Sequence, residues 1–227
     1  MIGVLDSGAG GVLTAKILSS LCPRADVLLL ADRKNAPYGT KSDSEIIALA
    51  ERGIERLLSC GAERVLIACC TASSLYPRMG AELRAASIPI IEPTARRAAK
   101  LTATGRVGVL ATRATVRSGA FTHAIRGALP SAEVFEQEAG ELVGLVESGA
   151  HRGRGKEAAE EKIRELTEPL IAEKIDTLVL GCTHFPHLFG CFSALFPTLS
   201  LVSCAHEGAK AAAAICRGGH GKIIYTE

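Results

Sequence analysis

Short apolar runs alternate with longer helix-like segments along the chain, and this alternation limits the fold more than any other feature of the sequence. The segments 44–60 and 155–174 carry hydrophobic residues at helical spacing, with charged residues on the outer face. Short apolar runs between such segments are typical of strands buried on both faces. The runs cover residues 2–5, 27–31, 65–68, 88–91, 107–111, 178–180 and 199–202. The sequence therefore predicts an α/β fold of mostly parallel sheets flanked by helices.

A weak internal repeat relates two parts of the chain. Residues 2–7 read IGVLDS, and residues 107–112 read VGVLAT, each at the start of a strand-to-helix unit. Each half also has one predicted strand that runs directly into a cysteine, Cys69 in the first half and Cys182 in the second. We therefore expect two pseudo-symmetric lobes that place these strand ends face to face across a cleft.

The boundary between the two predicted lobes falls near residues 89–93, ahead of a predicted helix at 95–101. A second crossing is expected near residues 199–203, after which the chain returns to the first lobe. The first lobe then consists of residues 1–92 plus 203–227, and the second of residues 93–202.

Composition and charge argue against several classes of partner. The chain has 26 Lys and Arg against 24 Asp and Glu, and no basic run is interleaved with aromatic residues as in a nucleic-acid surface. No stretch approaches the roughly 20 apolar residues of a membrane span, and the N-terminus lacks the basic start of a secretory signal. We expect a cytoplasmic protein with no nucleic-acid or membrane partner.

Eight cysteines occur in the chain, and in a cytoplasmic protein of this length we expect them to be reduced. Cys182, His184 and His187 lie close together in sequence, which raises the possibility of a zinc site. No CxxC pair completes such a site, so we expect no metal.

Polar clusters follow the predicted strands at the ends where ligands bind in open α/β sheets. Residues 6–11, DSGAGG, follow the first strand, and their amides at a helix start suit a carboxylate or a phosphate. The glycine spacing matches neither GxGxxG nor the P-loop. A helix cap with a tight turn is the alternative interpretation of this segment.

Cys69 and Cys182 would each, taken singly, be interpreted as a buried inert thiol. Their matched placement at strand ends facing helix N-termini instead favours the thiolate, the form that can remove a proton. A nucleophilic cysteine assisted by His184 or His187 is a rival hypothesis. Two thiols on opposite faces of a substrate favour inversion of a stereocentre, in which one removes the α-proton and the other returns a proton.

Five motifs in order resemble the glutamate racemases, within the broader aspartate/glutamate racemase superfamily. The motifs are LDSGAGG at 5–11, AD through PYG at 31–39, ACCTAS at 68–73, LAT through SGAF at 110–121 and GCTHFP at 181–186. The resemblance implies two α/β lobes and conversion of L-glutamate to D-glutamate for peptidoglycan synthesis. It also implies a small-molecule substrate, glutamate, and no cofactor or metal, and it leaves a homodimer open.

The resemblance also implies roles for individual residues. Cys69 and Cys182 would be the acid/base thiols, Asp6 and His184 would tune them, and Glu147 would lie near the second thiol. The residues implied in substrate binding are Ser7, Tyr38, Gly39, Cys70, Thr71, Thr115 and Thr183.

Departures from the family pattern keep alternatives open. Cys70 stands where the family usually has Asn, and this doubled cysteine makes Cys70 a second candidate base, although we favour Cys69. Ala139-Gly140 replaces the usual Cys-Pro, and Ser203-Cys204 replaces Asp-Ser. The alternative functions are racemization of another acidic amino acid such as aspartate, a decarboxylase or isomerase of the superfamily, and a binding or regulatory protein without activity.

Overall fold

The computed structural model describes residues 1–151 and 153–226, and this part of the chain forms nine strands and eleven helices. The strands are β1 (Ile2–Asp6), β2 (Val27–Ala31), β3 (Arg64–Ile67), β4 (Ser87–Pro89), β5 (Arg106–Ala111), β6 (Glu133–Glu138), β7 (Thr177–Leu180), β8 (Ser200–Ser203) and β9 (Ile223–Thr226). The helices are α1 (Ala9–Leu21), α2 (Asp43–Ser59), α3 (Cys70–Ser73), α4 (Ala81–Ala85), α5 (Ile91–Leu101), α6 (Arg113–Ser118), α7 (Ala120–Ala128), α8 (Glu141–Glu147), α9 (Lys156–Ala172), α10 (Phe189–Leu195) and α11 (Cys204–Ala213).

The strands form two sheets, with the orders β4-β3-β1-β2-β9 and β6-β5-β7-β8. Every strand pair is parallel, which confirms the predicted α/β fold. The two sheets share a pattern, because β1 and β5 each have as a neighbour the strand that ends before a cysteine. Leu5 pairs with Ile67 in the first sheet, and Leu110 pairs with Leu180 in the second.

The first sheet draws on residues 2–89 and 223–226, and the second on residues 106–203. The lobe boundaries between residues 92 and 93 and between 202 and 203 stay a prediction. Residues 152 and 227, which fall within the two predicted lobes, lie outside the described residues.

Six of the seven predicted strands match β1, β2, β3, β5, β7 and β8 to within one or two residues. The predicted run 88–91 is partly wrong, because β4 ends at Pro89 and Ile91 begins α5. Pro93 lies in the first turn of α5, where its missing N–H leaves no helical hydrogen bond unmade. The buried apolar residues at this helix start therefore have the sequence pattern of a buried strand.

Two strands, β6 and β9, are missing from the predicted set. β6 reads EVFEQE and β9 reads IIYT, and each lies at the edge of its sheet. No residue of β6 or β9 is fully buried, so neither strand needs a continuous apolar run.

A central core joins the two sheets. Val4 and Leu29 from the first sheet and Val109 and Val179 from the second belong to one buried cluster. Residues of α1, α5, α7 and α11 fill the same cluster, so these helices pack between the sheets. Two further clusters cover the outer faces, one beneath α2 and one beneath α8, α9 and α10. The shared core fixes the carboxyl ends of β3 and β7 relative to each other.

Within the described ranges 1–151 and 153–226, no helix combines the length and the apolar character that a membrane crossing requires.

Candidate active site

One cavity of about 890 Å³ opens between the lobes, where the carboxyl ends of the strands of both sheets meet. Its wall includes all but two of the residues implied by the resemblance: Ser7, Tyr38, Gly39, Cys69, Cys70, Thr71, Glu147, Cys182, Thr183 and His184. Asp6 and Thr115 are fully buried behind the wall. The predicted residues therefore converge on one cleft, from strand ends far apart in the sequence.

Cys69 follows β3 and is the N-terminal cap of the short helix α3. Its Sγ lies 3.5 Å from Oγ of Ser7, which follows β1. Burial and the negative charge of Asp6 raise the pKa of the thiol to about 11, although Ser7 and the amides at the start of α3 act in the opposite direction. The helix start thus favours the thiolate as expected, but burial outweighs this effect.

Cys182 follows β7, and Nδ1 of His184 lies 3.7 Å from its Sγ. Burial raises the pKa of this thiol well above its ordinary value, and the charges of Cys204, Cys69 and Asp6 add to the effect. The backbone N–H of His184 opposes the shift. Both thiols are therefore mainly protonated at neutral pH.

A carboxylate backs the imidazole of His184. Nε2 of His184 lies 2.6 Å from Oε1 of Glu147, and the same oxygen accepts a hydrogen bond from the Ala9 amide at 3.3 Å. Burial alone would raise the pKa of Glu147, but these two hydrogen bonds lower it. A carboxylate at Nε2 assigns the imidazole proton to that nitrogen, which leaves Nδ1 able to accept the proton of Cys182.

Asp6 connects the end of β1 to the second lobe. Its carboxylate accepts hydrogen bonds from the Gly8 amide at 2.8 Å and from the Thr183 hydroxyl at 2.9 Å. Burial raises the pKa of Asp6, although electrostatic interaction with His184 and these hydrogen bonds act to lower it. A Cβ at Gly10 would overlap Oγ1 of Thr183, so the close approach of α1 to Thr183 requires this glycine.

Some amides of the segment 6–11 bind the chain's own carboxylates. The Gly8 amide donates to Asp6, and the Ala9 amide at the start of α1 donates to Glu147. At this helix start the Ala9 amide therefore binds a side-chain carboxylate of the second lobe. The segment therefore acts as a link between the lobes.

Three threonines form a hydroxyl cluster that joins the two lobes at the cleft. Oγ1 of Thr71 lies 2.9 Å from that of Thr112 and 3.4 Å from that of Thr115, and the latter two are 3.0 Å apart. Thr112 is absent from the predicted site residues, although the repeat contained a signal, because IGVLDS and VGVLAT align it with Ser7. Thr71 and Thr112 lie on the cavity wall, where their hydroxyls can bind a carboxylate.

Tyr38 and Gly39 close the cleft beside this cluster. The Tyr38 hydroxyl donates to Asp32 at 2.8 Å, and burial and this carboxylate raise the pKa of the phenol. Because its proton is committed to Asp32, the Tyr38 oxygen can act only as an acceptor, as for an ammonium group. A Cβ at Gly39 would lie 3.2 Å from Cβ of Thr112 in the second lobe.

Comparison with known proteins identifies the family. The family model of the Asp/Glu/hydantoin racemases matches residues 2–212. The chain belongs to this family. Among curated relatives, the glutamate racemase of Desulforudis audaxviator is 42% identical over 188 residues, which are 82% of this chain and 68% of the relative. That of Corynebacterium glutamicum is 38% identical over 213 residues, 92% of this chain and 76% of the relative. These relatives confirm the resemblance to the glutamate racemases.

Solved structures give the same result. A glutamate racemase from Bacillus anthracis superposes with a TM-score of 0.89 at 28% identity, covering 99% of this chain and 86% of that one. A Francisella tularensis glutamate racemase in complex with D-glutamate gives a TM-score of 0.87 at 28% identity, covering 99% and 85%. The Escherichia coli enzyme with L-glutamate and an activator gives 0.75 at 28% identity, covering 94% and 81%. The two-lobed architecture is therefore that of the racemase structures.

Two departures from the family pattern meet in space. The Cys70 thiol is hydrogen-bonded to the Cys204 thiol, and both are buried in the central core. Burial and this contact raise the pKa of Cys70 well above its ordinary value. Cys69, unlike Cys70, has a hydroxyl and helix amides beside its sulfur, so the geometry favours Cys69 as the base.

Among the residues that the structure describes, no group of three or more His, Cys, Asp or Glu side chains is arranged to hold a metal ion.

Proposed function

We propose that this chain interconverts L-glutamate and D-glutamate without a cofactor, using Cys69 and Cys182 as its acid and base. The observation that carries this proposal is the placement of two buried thiols at equivalent strand ends of opposite lobes, on the wall of one cavity. A single thiol could act on only one face of a substrate, whereas two on opposite walls can act on both.

In the proposed reaction the thiolate of one cysteine removes the α-proton, which leaves a planar carbanion with charge spread into the α-carboxylate. The thiol of the other cysteine then donates its proton to the opposite face, so one proton is taken up and one is released. The roles are reversed for the return reaction. Hydroxyls of Thr71 and Thr112 are placed to stabilise the developing charge, and one such donor contributes about 3 kcal/mol.

The raised pKa values of the thiols require a means of forming the thiolate. A bound amino acid carries an ammonium group, and a positive charge beside a thiol lowers its pKa. On the Cys182 side, Nδ1 of His184 can accept the thiol proton while Glu147 stabilises the resulting imidazolium. Substrate and protein thus share the cost of ionising a buried thiol.

Glutamate is supported as the substrate by the relatives, whose structures hold D-glutamate or L-glutamate. Supply of D-glutamate for peptidoglycan is the physiological role we propose with it. A homodimer and a cytoplasmic location stay predictions.

The test is α-proton exchange and loss of optical rotation with L-glutamate and L-aspartate in D2O. The variants are Cys69→Ser and Cys182→Ser, with Cys70→Ser as the matched control for a buried thiol of the same cleft. We expect D-glutamate to form, and each of the first two substitutions to abolish net racemization while Cys70→Ser retains it. If only aspartate exchanged its α-proton, aspartate would replace glutamate as the proposed substrate. Absence of exchange with both amino acids would overturn the proposal.

A further inference from the structure

The contact between the Cys70 and Cys204 thiols has a counterpart at the surface. The Cys216 thiol donates a hydrogen bond to the sulfur of Cys22, and all four thiols are free. Cys70 and Cys204 are buried, whereas Cys22 and Cys216 are each partly exposed to solvent. Cys22 and Cys216, the surface pair, can therefore meet a reagent from solution that has not passed through the cleft.

Two packed helices bring the surface pair together. Cys22 directly follows α1, and Cys216 comes shortly after the end of α11. The two helices pack against each other between the sheets, where Leu18 of α1 and Ala212 of α11 belong to one buried cluster. Because α1 and α11 each begin after the carboxyl end of a strand, their far ends lie on the side of the sheets opposite the cleft. The surface pair is therefore remote from the two thiols of the proposed reaction.

Backbone hydrogen bonds hold each cysteine of the surface pair in place. The Cys22 amide donates to the Leu18 carbonyl at 2.9 Å, and the Cys22 carbonyl accepts from the Ala25 amide at 2.9 Å. The Cys216 amide donates to the Ala213 carbonyl at 3.2 Å, and the Cys216 side chain packs against the central core. Both sulfurs are therefore carried by backbone that is itself hydrogen-bonded.

The chain beyond Cys216 is fixed against the turn beyond Cys22. Asp26 accepts hydrogen bonds from the His220 amide at 3.0 Å and from the Lys222 amide at 3.1 Å. β9 follows directly and pairs with β2, the next strand after Cys22. The two segments are thus joined on one side of the thiols by the packing of α1 on α11 and on the other side by these hydrogen bonds. A covalent bond between the sulfurs requires no change in the course of either segment.

The two thiols of the surface pair have unequal roles in their contact. Burial and the hydrogen bond to Cys22 raise the pKa of Cys216 to about 11, although the N-terminal ammonium of Met1 acts in the opposite direction. A thiol that keeps its proton can donate it to a neighbouring thiolate, and the thiolate is the reactive form of cysteine. The contact therefore favours Cys22 as the first nucleophile and leaves Cys216 as the thiol that reacts second.

We propose that Cys22 and Cys216 are a modification site, at which a low-molecular-weight disulfide such as glutathione disulfide converts the two thiols into a reversible intramolecular disulfide. Partial exposure, contact between the sulfurs and a second thiol next to the nucleophile are the features of cysteines that oxidise selectively. In a reducing compartment such a bond is transient and forms when the oxidant accumulates.

The modification proceeds by two thiol–disulfide exchanges. The Cys22 thiolate attacks one sulfur of glutathione disulfide, which forms a mixed disulfide and releases one glutathione thiolate. Cys216 then loses its proton and attacks the Cys22 sulfur, which forms the intramolecular disulfide and releases the second glutathione thiolate. The two protein thiols lose two electrons and two protons. One glutathione disulfide takes up the electrons, and the protons are transferred to the two glutathione thiolates.

The disulfide joins the end of α1 to the chain that returns from α11 to the first lobe. It closes a loop that contains most of the chain, and a cross-link restricts the unfolded chain more as the closed loop becomes longer. Because the bond lies on the side of the sheets opposite the cleft, it leaves the site of the proposed reaction unchanged. Oxidation is therefore expected to stabilise the fold and to retain racemization.

Disulfide mapping tests the assignment directly. The wild type is incubated with glutathione disulfide, the remaining thiols are alkylated in denaturant, and the digest is analysed by mass spectrometry. We expect the peptide containing Cys22 to be linked to the peptide containing Cys216 within one chain, and the link to be lost on reduction. Cys22→Ser and Cys216→Ser should each prevent it. Cys60→Ser is the matched control, because it removes a partly exposed thiol of the same lobe, and it should form the link as the wild type does.

Thermal unfolding provides a second measurement that does not depend on the activity of the chain. We expect the oxidised wild type to unfold about 8 °C above the reduced wild type, whereas the oxidant should leave Cys216→Ser unchanged. Glutathione that stays attached to Cys22, a link between two chains, or a link from Cys70 to Cys204 with Cys22 still free would overturn the assignment. The same Tm for the reduced and the linked wild type would overturn the stabilising effect.

Discussion

Cys69 and Cys182 occupy equivalent places in the two lobes but have different neighbours. Each follows the strand next to the opening strand of its sheet, and each is buried on the cleft wall. Beside Cys69 lies the neutral hydroxyl of Ser7, whereas Cys182 is next to the imidazole of His184, backed by Glu147. The repeated architecture thus places the thiols, and residues that are not repeated determine how each exchanges its proton.

The repeat itself shows where this symmetry ends. Alignment of IGVLDS with VGVLAT pairs Ser7 with Thr112 but pairs Asp6 with Ala111. Asp6 hydrogen-bonds Thr183, the residue after Cys182, but its charge acts on both thiols, so His184 and Glu147 are the ionisable groups particular to the Cys182 side. We therefore expect the two thiols to respond differently to loss of their neighbours.

Loss of His184 should have the largest effect. His184→Gln keeps a polar group near Glu147 but cannot accept the proton of Cys182, and we expect kcat/KM to fall about a hundredfold. The loss must be equal in the two directions, since the equilibrium constant between enantiomers is one. Steady-state kinetics from L- and D-glutamate measure it, and His123→Gln, exposed on α7, should retain activity. A loss under fivefold would remove the functional difference between the thiols.

The change of kcat/KM with pH should be nearly as large as the effect of His184→Gln. A base with a raised pKa is scarce as thiolate at neutral pH and becomes available as pH rises, so the raised pKa of Cys69, about 11, predicts increasing activity. We expect kcat/KM to rise about tenfold per unit between about pH 6.5 and 8.5. A profile measured at constant ionic strength tests this. A flat profile would mean that both thiols ionise more easily than their burial predicts.

Ser7→Ala should produce a smaller loss than His184→Gln. The Ser7 hydroxyl acts to lower the pKa of Cys69, and one neutral hydrogen bond contributes about 1 kcal/mol, so we expect kcat/KM to fall about fivefold. Ser20→Ala, which removes an exposed hydroxyl of α1, is the control. If Ser7→Ala were as damaging as His184→Gln, the two thiols would depend equally on their neighbours.

Away from the cleft, each lobe has a carboxylate whose hydrogen bonds lower its pKa and stabilise the fold, Asp176 in the second lobe and Asp26 in the first. Burial would raise the pKa of Asp176, but hydrogen bonds from Thr102 and Thr104 lower it to about 2. A lowered pKa stabilises the fold above the ordinary value of 3.8, and this stability is lost as pH falls towards 2. We expect Asp176→Asn to lower the free energy of unfolding by about 1 kcal/mol at neutral pH, because water screens much of this carboxylate.

Urea unfolding at pH 7 and at pH 3 measures this effect, which should shrink at the lower pH. Asp26, which accepts hydrogen bonds from the amides of His220 and Lys222 in the first lobe, is the exposed counterpart. Asp26→Asn should cost less stability, and racemization should be unchanged in both variants. A larger loss at pH 3 than at pH 7 would contradict the sign of the shift.

Sequence patterns predicted the buried strands because these carry continuous apolar runs, and β1, β3, β5 and β7 position the cleft. They missed β6 and β9, which lie at sheet edges with few buried side chains. The family motifs also predicted ten residues of the cavity wall. They could not predict that the amides at the start of α1 bind Asp6 and Glu147, since Glu147 reaches them only through tertiary packing.

The thiol pKa values show a second limit of the sequence. A cysteine at a helix start predicts a thiolate, yet the degree of burial that reverses the shift depends on both lobes. The sequence did contain a signal for Thr112. Its alignment with Ser7 in the repeat places it directly after β5, as Ser7 comes directly after β1.

The most direct test of two thiols acting on opposite faces is the fate of the α-hydrogen when protiated L-glutamate reacts in D2O. The account predicts that D-glutamate formed early carries deuterium, because its proton comes from the second, solvent-exchanged thiol, while the remaining L-glutamate keeps its hydrogen. Mass spectrometry of the separated enantiomers at low conversion measures both. D-glutamate that retains the original hydrogen, or L-glutamate that gains deuterium faster than product forms, would contradict the two-thiol mechanism.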